Sequence, residues 1–423
     1  MDEETLREAL ARYRDAGGPS YEEFARGGGI DRPGGSELSY SRFFREFLVP
    51  NRPCVLSGSV TAAWPGRQLW VQEDGGPDFQ HLLHRFGDAV VPVANCDVQE
   101  YNANPKESLT LSEYLSYWRE RRAHGHTSPR GCLYLKDWHM HRDFPDHGVY
   151  STPLFFRSDW LNEYWDSIRL DDYRFVYMGP KGSWTPFHAD VFRSYSWSAN
   201  LCGRKRWLLF PPGEEAALRD RAGSLAYDVL SPALRDPQLY PGAAQSHSPI
   251  EVIQEPGEVL FVPSGWYHQV HNLEDTISVN HNWLNGCNVD TVWRFLRAEL
   301  SAVQDEIGEW RDSMADWHQH CQVMMKSCTG MDFSQFYVFL ETIARNRMEW
   351  LDSGLEDPGP GGAQGSELGR RQAMFDLHRV GAALESLLAD ADFTRLEVDS
   401  PGLGSSPGGL LREVREVADS ALT

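Results

Sequence analysis

Two short motifs carry the side chains best suited to bind a transition metal. The first is Trp184-Thr-Pro-Phe-His-Ala-Asp190, and the second, Pro263-Ser-Gly-Trp-Tyr-His268, follows about eighty residues later. Because side chains two apart on a β-strand point to the same side, His188 and Asp190 can share one face. A histidine from a distant strand would complete a two-histidine, one-carboxylate set, which suits Fe(II) and leaves positions open for substrate and O2. This pattern is typical of a non-haem iron oxygenase.

The spacing His-x-Asp is a weak signal by itself, because it occurs again at His141-Arg-Asp143. That second copy lies in a polar stretch without strand patterning, and we interpret it as surface chemistry. The first copy lies among segments with strand patterning, separated by turns at residues 202–204, 256–258 and 263–265: Arg174–Gly179, Ser194–Leu201, Lys205–Phe210 and Val259–Val262. Short strands at this spacing predict a barrel or a sandwich.

Residues 172–285 resemble the Jumonji-C (JmjC) domain of 2-oxoglutarate-dependent oxygenases. The resemblance rests on runs inside and outside the barrel segment: Asp171–Tyr177, His188–Pro212, His271–Trp283, Val91–Tyr101 and Gly131–Trp138. It extends over most of residues 37–350. It implies an α+β fold with a mainly β core, in which a double-stranded β-helix barrel of jelly-roll or cupin type is joined by flanking helices and a C-terminal helical region.

Three histidines compete for the place of the third metal ligand: His268, His271 and His281. His268 lies where the strand after the Pro263-Ser-Gly265 turn enters the barrel, and the JmjC pattern Pro-x-Gly-Trp-x-His falls on it. His271 is three residues further on and therefore faces the opposite side of a strand. His281 also lies an odd number of residues after His268. We interpret these two as core or supporting groups and assign the ligand to His268.

The resemblance also indicates which residues would hold 2-oxoglutarate. Lys205 suits the carboxylate far from iron, because an ammonium deep in a barrel makes a charge-assisted hydrogen bond. Thr185 and Tyr134 match hydroxyl donors that JmjC hydroxylases use on that carboxylate. Asn280 is expected to face the carboxylate near iron. For Tyr134 and Asn280 the alternative is ordinary hydrogen bonding within the core. Ser198 stands where several JmjC hydroxylases have asparagine. Three tryptophans are expected to wall the cavity: Trp197, Trp207 and Trp266.

Composition excludes several classes of function. The formal net charge is −21, with 61 acidic and 40 basic residues, which argues against nucleic-acid binding and fits a basic protein substrate. Seven cysteines without a Cys-x-x-Cys pair argue against a disulfide framework and a zinc ribbon. No run reaches the roughly 20 apolar residues of a membrane span, and the acidic start does not resemble a targeting peptide. We expect a cytoplasmic protein without membrane association.

Patterning divides the chain into four predicted regions. They are an N-terminal helix and Gly-rich linker at 1–36, a lobe packing on the barrel at 37–170, the catalytic barrel at 171–285, and a helical region at 286–423 with a Gly/Pro-rich linker near 357–365. Within the second region we predict helices starting at Ser39 and covering Leu111–Arg121 and Ser158–Trp165. The insertion from Pro211 to Pro249 is a substrate-contacting lid or an ornament. The C-terminal helices dimerise the chain or buttress the barrel, and the oligomeric state stays open.

The resemblance is strongest to protein hydroxylases that use Fe(II), 2-oxoglutarate and O2, with ascorbate as a stimulating reductant. It implies lysyl C-4 hydroxylation of the class 1 eukaryotic translation termination (release) factor, in support of translation termination. The alternatives are a JmjC histone lysyl demethylase and a catalytically inactive JmjC binding module. The absence of a chromatin-reading finger weighs against the first, and the complete triad with Lys205 weighs against the second. For a lysyl substrate, Glu100 and Asp137 are candidate carboxylates at the cavity mouth.

Overall fold

The computed structural model describes five stretches of the chain: residues 1–15, 29–34, 38–353, 368–396 and 406–422. The predicted linker near 357–365 lies outside these stretches, and so do residues 27, 28 and 35 of the Gly-rich segment. None of the described helices is both long and apolar enough to cross a membrane. The boundaries of the four predicted regions stay a prediction.

The strands of the described residues form two antiparallel sheets. Their bounds are β1 Cys54–Leu56, β2 Val90–Asn95, β3 Lys106–Thr110, β4 Leu133–Trp138, β5 Arg174–Gly179, β6 Trp184–Ala189, β7 Tyr195–Cys202, β8 Lys205–Phe210, β9 Ile250–Gln254, β10 Val259–Val262, β11 Tyr267–Asn272 and β12 Thr276–Trp283. The larger sheet has the order β1-β10-β7-β12-β5-β4-β2-β3, and the smaller has the order β6-β11-β8-β9. Between them lies an apolar layer with residues from both sheets: Leu260 and Val262 from β10, and Trp207, Leu209 and Val270 from β8 and β11. The predicted barrel is confirmed.

The turn at Cys202-Gly-Arg204 carries the chain from one sheet to the other. β7 pairs with β10 and β12, whereas β8 pairs with β11 and β9, so the two strands do not form a hairpin. Gly203 has a φ of 68°, and a Cβ there would lie 2.1 Å from the carbonyl oxygen of Asp275. Only glycine fits this turn. The crossing places Lys205 opposite β12 rather than beside β7.

Two strands were not expected from the sequence. β3 is exposed or half-buried along its whole length, so it has no alternation of apolar and polar residues to signal a strand. β9 follows directly on the long insertion and pairs only with β8. Both lie at the edges of their sheets, where packing imposes little on the sequence.

The helices surround the sheets. Their bounds are α1 Glu3–Asp15, α2 Tyr40–Phe43, α3 Gly66–Leu69, α4 Phe79–Phe86, α5 Leu111–Ala123, α6 Met140–Asp143, α7 Trp160–Ile168, α8 Val289–Glu306, α9 Trp317–Thr329, α10 Phe333–Asp352, α11 Arg370–Leu388, α12 Ala391–Thr394 and α13 Pro407–Leu422. Ser39 caps α2, as predicted, by accepting a hydrogen bond from Arg42 N at 3.1 Å. α2 continues into a π-helical turn, Phe44–Leu48. The predicted helices at α5 and α7 are confirmed within a few residues.

The C-terminal helices pack on the barrel. One apolar core joins the outer face of the larger sheet, including Val176 and Trp283, to Phe336 and Phe375 of α10 and α11. α8 also contacts the turn that follows the first metal-binding motif, where the guanidinium of Arg193 lies 4.9 Å from the ring centre of Phe295. Of the two roles left open by the sequence, buttressing is the one seen in the structure.

The insertion between Pro211 and Pro249 covers an edge of the smaller sheet. Its Leu218 and Ala226 are buried against Phe187 and Tyr267 on the outer face of that sheet. Phe187 N donates to the carbonyl of Tyr227 at 3.0 Å, which satisfies the free edge of β6. Covering this edge is a structural role that neither a lid nor an ornament describes.

A buried ionic cluster ties α7, α10 and α11 together. Arg347 is 1% exposed and lies between two carboxylates. Its Nε donates to Asp376 at 2.7 Å, and its two terminal nitrogens donate to Glu163, each at 2.8 Å. Because one guanidinium neutralises two buried acids, its removal leaves both without a partner.

We predict that Arg347→Met lowers the free energy of unfolding by about 3–5 kcal/mol, the usual cost of stranding buried charge. The matched control is Arg297→Met, because the Arg297 side chain is 57% exposed in its pair with Asp390. Loss of this exposed ion pair should lower the free energy of unfolding by less than about 1 kcal/mol. Urea unfolding followed by circular dichroism measures both variants. Equal small losses would show that the cluster does not hold the helices together.

Candidate active site

His188 and His268 lie directly opposite each other on β6 and β11, so both side chains point to the same face of the sheet. Their ring centres are 4.4 Å apart. The Nδ1 atom of His188 donates to the carbonyl of Pro186 at 2.8 Å, and that of His268 lies 3.4 Å from the carbonyl of Trp266. These contacts fix the rings and leave each Nε2 available inside the barrel.

Asp190 lies one residue past the end of β6, not within the strand as the sequence predicted. Its backbone remains extended, with φ −65° and ψ 158°, before the short turn Val191–Arg193 begins. The Ser196 hydroxyl donates to Asp190 Oδ2 at 2.7 Å and orients the carboxylate. One ligand atom from each of His188, Asp190 and His268 lies within 4.8 Å of the others. The structure therefore brings the three predicted ligands together.

The protonation state of this group suits a metal. Burial, assisted by the neighbouring His268 ring, lowers the pKa of His188 to about 4. The His188 imidazole is therefore neutral at physiological pH, which is the form that coordinates metal ions. Two imidazoles and one carboxyl group match the donor set of non-haem Fe(II) centres.

The other two candidate histidines lie outside this group, as predicted. His271 stacks on Trp184 with ring centres 5.4 Å apart and contacts the Gln269 side chain at 2.9 Å. His281 is buried beside Trp197, with ring centres 4.2 Å apart, and bonds to the Tyr150 hydroxyl at 2.9 Å. Both rings pack on the outer faces of their sheets.

Trp197 does not wall the cavity, so that prediction is wrong. It alternates along β7 with Ser196 and Ser198 and belongs to the core outside the barrel. Trp207 and Trp266 do belong to the layer between the sheets, as predicted. The difference follows from strand parity, which assigns odd positions of β7 to the outer face.

The second His-x-Asp copy takes a helical conformation. His141 and Asp143 lie on α6, where residues two apart point in nearly opposite directions because each residue turns the helix by about 100°. His141 contacts His147 at 3.3 Å, and Asp143 pairs with Arg142. This copy cannot present two ligands to one ion, as the sequence context indicated.

Lys205 occupies the interior of the barrel, where it is 1% exposed. Its Nζ donates to Ser278 Oγ at 2.8 Å and to Tyr134 Oη at 3.3 Å. Burial lowers the pKa of Lys205 to about 7, and none of the described acidic side chains forms an ion pair with it. Its other neighbour is the Tyr177 ring, whose centre is 6.0 Å from Nζ. A buried ammonium with only hydroxyl and aromatic neighbours lacks the negative charge that a ligand carboxylate would supply.

Thr185 reaches the same interior through an extra residue in β6. His188 faces His268 and Thr185 faces Val270, so three steps along β6 match two steps along β11. This is a β-bulge, which changes the direction in which side chains point. Val270 belongs to the layer between the sheets, and Thr185 therefore lies on the inner side with it.

Asn280 and Ser198 are directly opposite each other on the inner side of β12 and β7. The Asn280 amide donates to Ser278 Oγ at 3.0 Å, which connects it through that hydroxyl to Lys205. The Ser198 hydroxyl is buried without a hydrogen-bond partner among the described residues, and so can serve a ligand. Ser278 was missed in the sequence, although its spacing of two from Asn280 places it on the same face.

The two carboxylates expected at the cavity mouth behave differently. Asp137 accepts a hydrogen bond from the Tyr177 hydroxyl and forms an ion pair with Lys106. Glu100 is exposed in the loop after β2. Ala94 of β2 pairs with Tyr134, and the strand then runs away from the metal-binding group, so the structure does not bring Glu100 to that group.

Comparison with known proteins agrees with this geometry. A family model described as a cupin-like domain matches residues 40–288. The 2-oxoglutarate and iron-dependent oxygenase JMJD4 of Danio rerio is 58% identical over 389 residues, or 90% of each chain. The chain belongs to the JMJD4 family. The Homo sapiens JMJD4 is 55% identical over 409 residues, which cover 94% of this chain and 96% of its own.

A more distant relative carries a different name. The arginine-specific demethylase JMJ20 of Arabidopsis thaliana is 41% identical over 342 residues, which cover 77% of this chain and 72% of its own. As a JMJD4 family member, the protein is an oxygenase that depends on iron and 2-oxoglutarate. Both groups fit the residues present, since the His188, Asp190 and His268 donors suit iron and the unpaired Lys205 ammonium suits a carboxylate.

We predict that His188→Ala weakens Fe(II) binding by more than roughly 100-fold, because loss of even an outer partner of a ligand costs about 10–100-fold. Turnover of 2-oxoglutarate should be lost with it, while the circular dichroism spectrum stays unchanged. Equilibrium dialysis and succinate formation measure the two effects. Asp143→Ala is the control from the helical His-x-Asp copy and should behave like the wild type. An equal loss in that control would contradict the assignment.

We also predict that 2-oxoglutarate binds most tightly below pH 7. The Lys205 pKa of about 7 means that above this pH the free protein must take up a proton to present an ammonium. The affinity should then fall by up to about tenfold per pH unit. Tyr134 and Tyr177 face Lys205 but stay neutral, because burial raises their pKa values; Lys136 is the other cation nearby.

The measurement is calorimetric titration of Mn(II)-loaded enzyme with 2-oxoglutarate between pH 6 and pH 9. Buffers of different ionisation enthalpy count the protons taken up on binding. The Lys205→Met variant, which has no ammonium to protonate, should bind weakly and lose most of the pH dependence. Binding without proton uptake at pH 8.5 in the wild type would contradict this account.

Proposed function

We propose that the protein is a lysyl hydroxylase in which His188, Asp190 and His268 hold Fe(II). Lys205 holds the far carboxylate of 2-oxoglutarate, with four further side chains around the co-substrate: Thr185, Tyr134, Asn280 and Ser198. The observation that carries this proposal is the unpaired Lys205 ammonium in the same cavity as the three ligands. An inactive binding module would have no need of that costly arrangement.

The side chains have distinct tasks in the reaction. Fe(II), 2-oxoglutarate and O2 supply the chemistry that inserts oxygen into a C–H bond as the co-substrate is converted to succinate and CO2. Lys205 orients the co-substrate, and Ser196 keeps the Asp190 carboxylate in place. Trp207 and Trp266 fill the interior and exclude water from the pocket.

The proposed target is a lysyl C-4 atom in the class 1 eukaryotic translation termination factor, which places the activity in the cytoplasm. The net charge of −21 favours a basic substrate segment. Asp171 precedes β5 at the metal end of the barrel, where its partly exposed carboxylate pairs with Arg142. Such a surface attracts a lysine-containing segment without holding its ammonium at the iron.

N-demethylation is the second candidate. The relative named as an arginine-specific demethylase favours it, because it covers most of this chain at 41% identity. A demethylase acting on histone lysine would use the same iron and co-substrate. The two reactions differ in where the hydroxyl group is placed, on a side-chain carbon or on an N-methyl carbon.

We predict that the enzyme adds one oxygen atom to a lysine of the purified termination factor, as seen by tandem mass spectrometry. The His188→Ala enzyme is the control and should add none. Peptides in which that lysine is replaced by Gln should support at least tenfold less succinate formation, and the activity on the Lys peptide should fall as salt rises, because the attraction is electrostatic. Loss of a methyl group from methylated peptides, with no oxygen gained by the factor, would favour the demethylase.

A further inference from the structure

A second lysine points into the co-substrate pocket. Lys136 on β4 is 8% exposed, and the structure shows neither an ion pair nor a hydrogen bond for its ammonium among the described residues. Its Nζ lies 5.8 Å from the ring centre of Tyr134, the residue that contacts Lys205. A buried ammonium without an anion is costly unless a ligand provides one.

A β-bulge places Lys136 on the inner side. Leu135 pairs with Met178 and Trp138 with Val176, so three steps along β4 match two along β5. These four residues all belong to the core outside the barrel. The two residues between Leu135 and Trp138 therefore occupy together the place of one inward-facing residue.

The second residue of the bulge is Asp137, and it does not neutralise Lys136. Its backbone has a φ of 60°, which is costly for a residue other than glycine. In this conformation its carboxylate accepts from the Tyr177 hydroxyl and pairs with Lys106. The Asp137 carboxylate is therefore paired with Lys106 of β3 and does not pair with Lys136.

Strand direction places Lys136 between the two ends of the pocket. β12 runs from Ser278, which contacts Lys205, to Asn282, which faces Ser196 beside Asp190. β4 runs the same way, because each is antiparallel to β5. Lys136 follows Tyr134 by two residues on β4, so its backbone lies further than Tyr134 along the direction that leads to the metal-binding group.

The positive charge of Lys136 affects ionisable groups at both ends of the pocket. It contributes to lowering the pKa of His188 and that of Lys205. Burial also lowers the pKa of Lys136, and the Asp137 carboxylate opposes that shift. Before any ligand binds, the pocket thus holds two lysines and one metal-binding carboxylate, and bound Fe(II) adds to the positive excess. A dicarboxylate is the class of ligand that offsets this charge.

We propose that Lys136 is a second anchoring residue for 2-oxoglutarate, which contacts the carboxylate at the iron end while Lys205 contacts the far carboxylate. This inference rests on the cofactors of the JMJD4 family and not on the lysyl target. An ammonium at the iron end fixes the carboxylate that is later released as CO2, and it makes binding depend on that charge as well as on the metal.

The test compares two ligands on Mn(II)-loaded enzyme by calorimetry, without turnover. One is 2-oxoglutarate, and the other is 2-oxopentanoate, which keeps the iron-end carboxylate and keto group but lacks the far carboxylate. Lys136→Met should weaken both ligands by about tenfold or more. Lys205→Met should weaken 2-oxoglutarate by about 30-fold but leave 2-oxopentanoate within about twofold. The matched control Lys326→Met removes a half-exposed lysine of α9 and should leave both affinities unchanged.

Several outcomes would overturn the proposal. Unchanged 2-oxoglutarate affinity in Lys136→Met, with weaker binding of the protein substrate, would assign Lys136 to the substrate. A loss confined to 2-oxoglutarate would place Lys136 at the far carboxylate. Thermal unfolding of the ligand-free protein shows whether the variant is folded. Replacing an unpaired buried ammonium by Met should keep or raise the midpoint temperature of unfolding. If Lys136→Met does not fold, Lys136→Gln gives the same comparison, and full affinity for both ligands in that variant would equally refute the proposal.

Discussion

The pairing of β6 with β11 is the constraint on which the site depends. It sets His188 directly opposite His268, and a shift of one residue would turn one of the two rings to the outside. β11 also pairs with β8, where Leu209 faces His268 and Lys205 faces Asn272. One strand therefore fixes both the metal-binding group and its separation from the co-substrate anchor. The insertion protects this register by satisfying the outer edge of β6.

Regular alternation explains only part of the pocket, because two β-bulges supply the rest. In β6 the extra residue brings Thr185 to the same side as His188, although they are three apart. In β4 it turns both Lys136 and Asp137 inward, with Asp137 in a left-handed conformation. Bulges interrupt strand pairing and point side chains in directions that a regular strand forbids. Two of the side chains that face the co-substrate, Thr185 and Lys136, owe their direction to these bulges.

This division also explains what the sequence could reveal. Strand parity was enough to put His188 on an inner face and to exclude His271, because both lie on strands. The assignment of His268 and Lys205 also needed the resemblance to the JmjC pattern. The inward position of Lys136 was missed, since its bulge arises from pairing with a strand some forty residues away. The crossing after β7 and the covering role of the insertion likewise depend on distant partners. The spacing of residues along the sequence predicts neither the crossing nor the position of the insertion.

The charges inside the barrel link stability to ligand binding. Lys136 and Lys205 are both buried without an acidic partner, so each opposes folding of the ligand-free protein. The extended core shared with the C-terminal helices offsets that cost through apolar burial. A dicarboxylate that pairs with both lysines binds only the folded state and shifts the folding equilibrium toward it. The helical region thus does more than support the barrel, because it offsets the cost of an interior that holds two lysines without acidic partners.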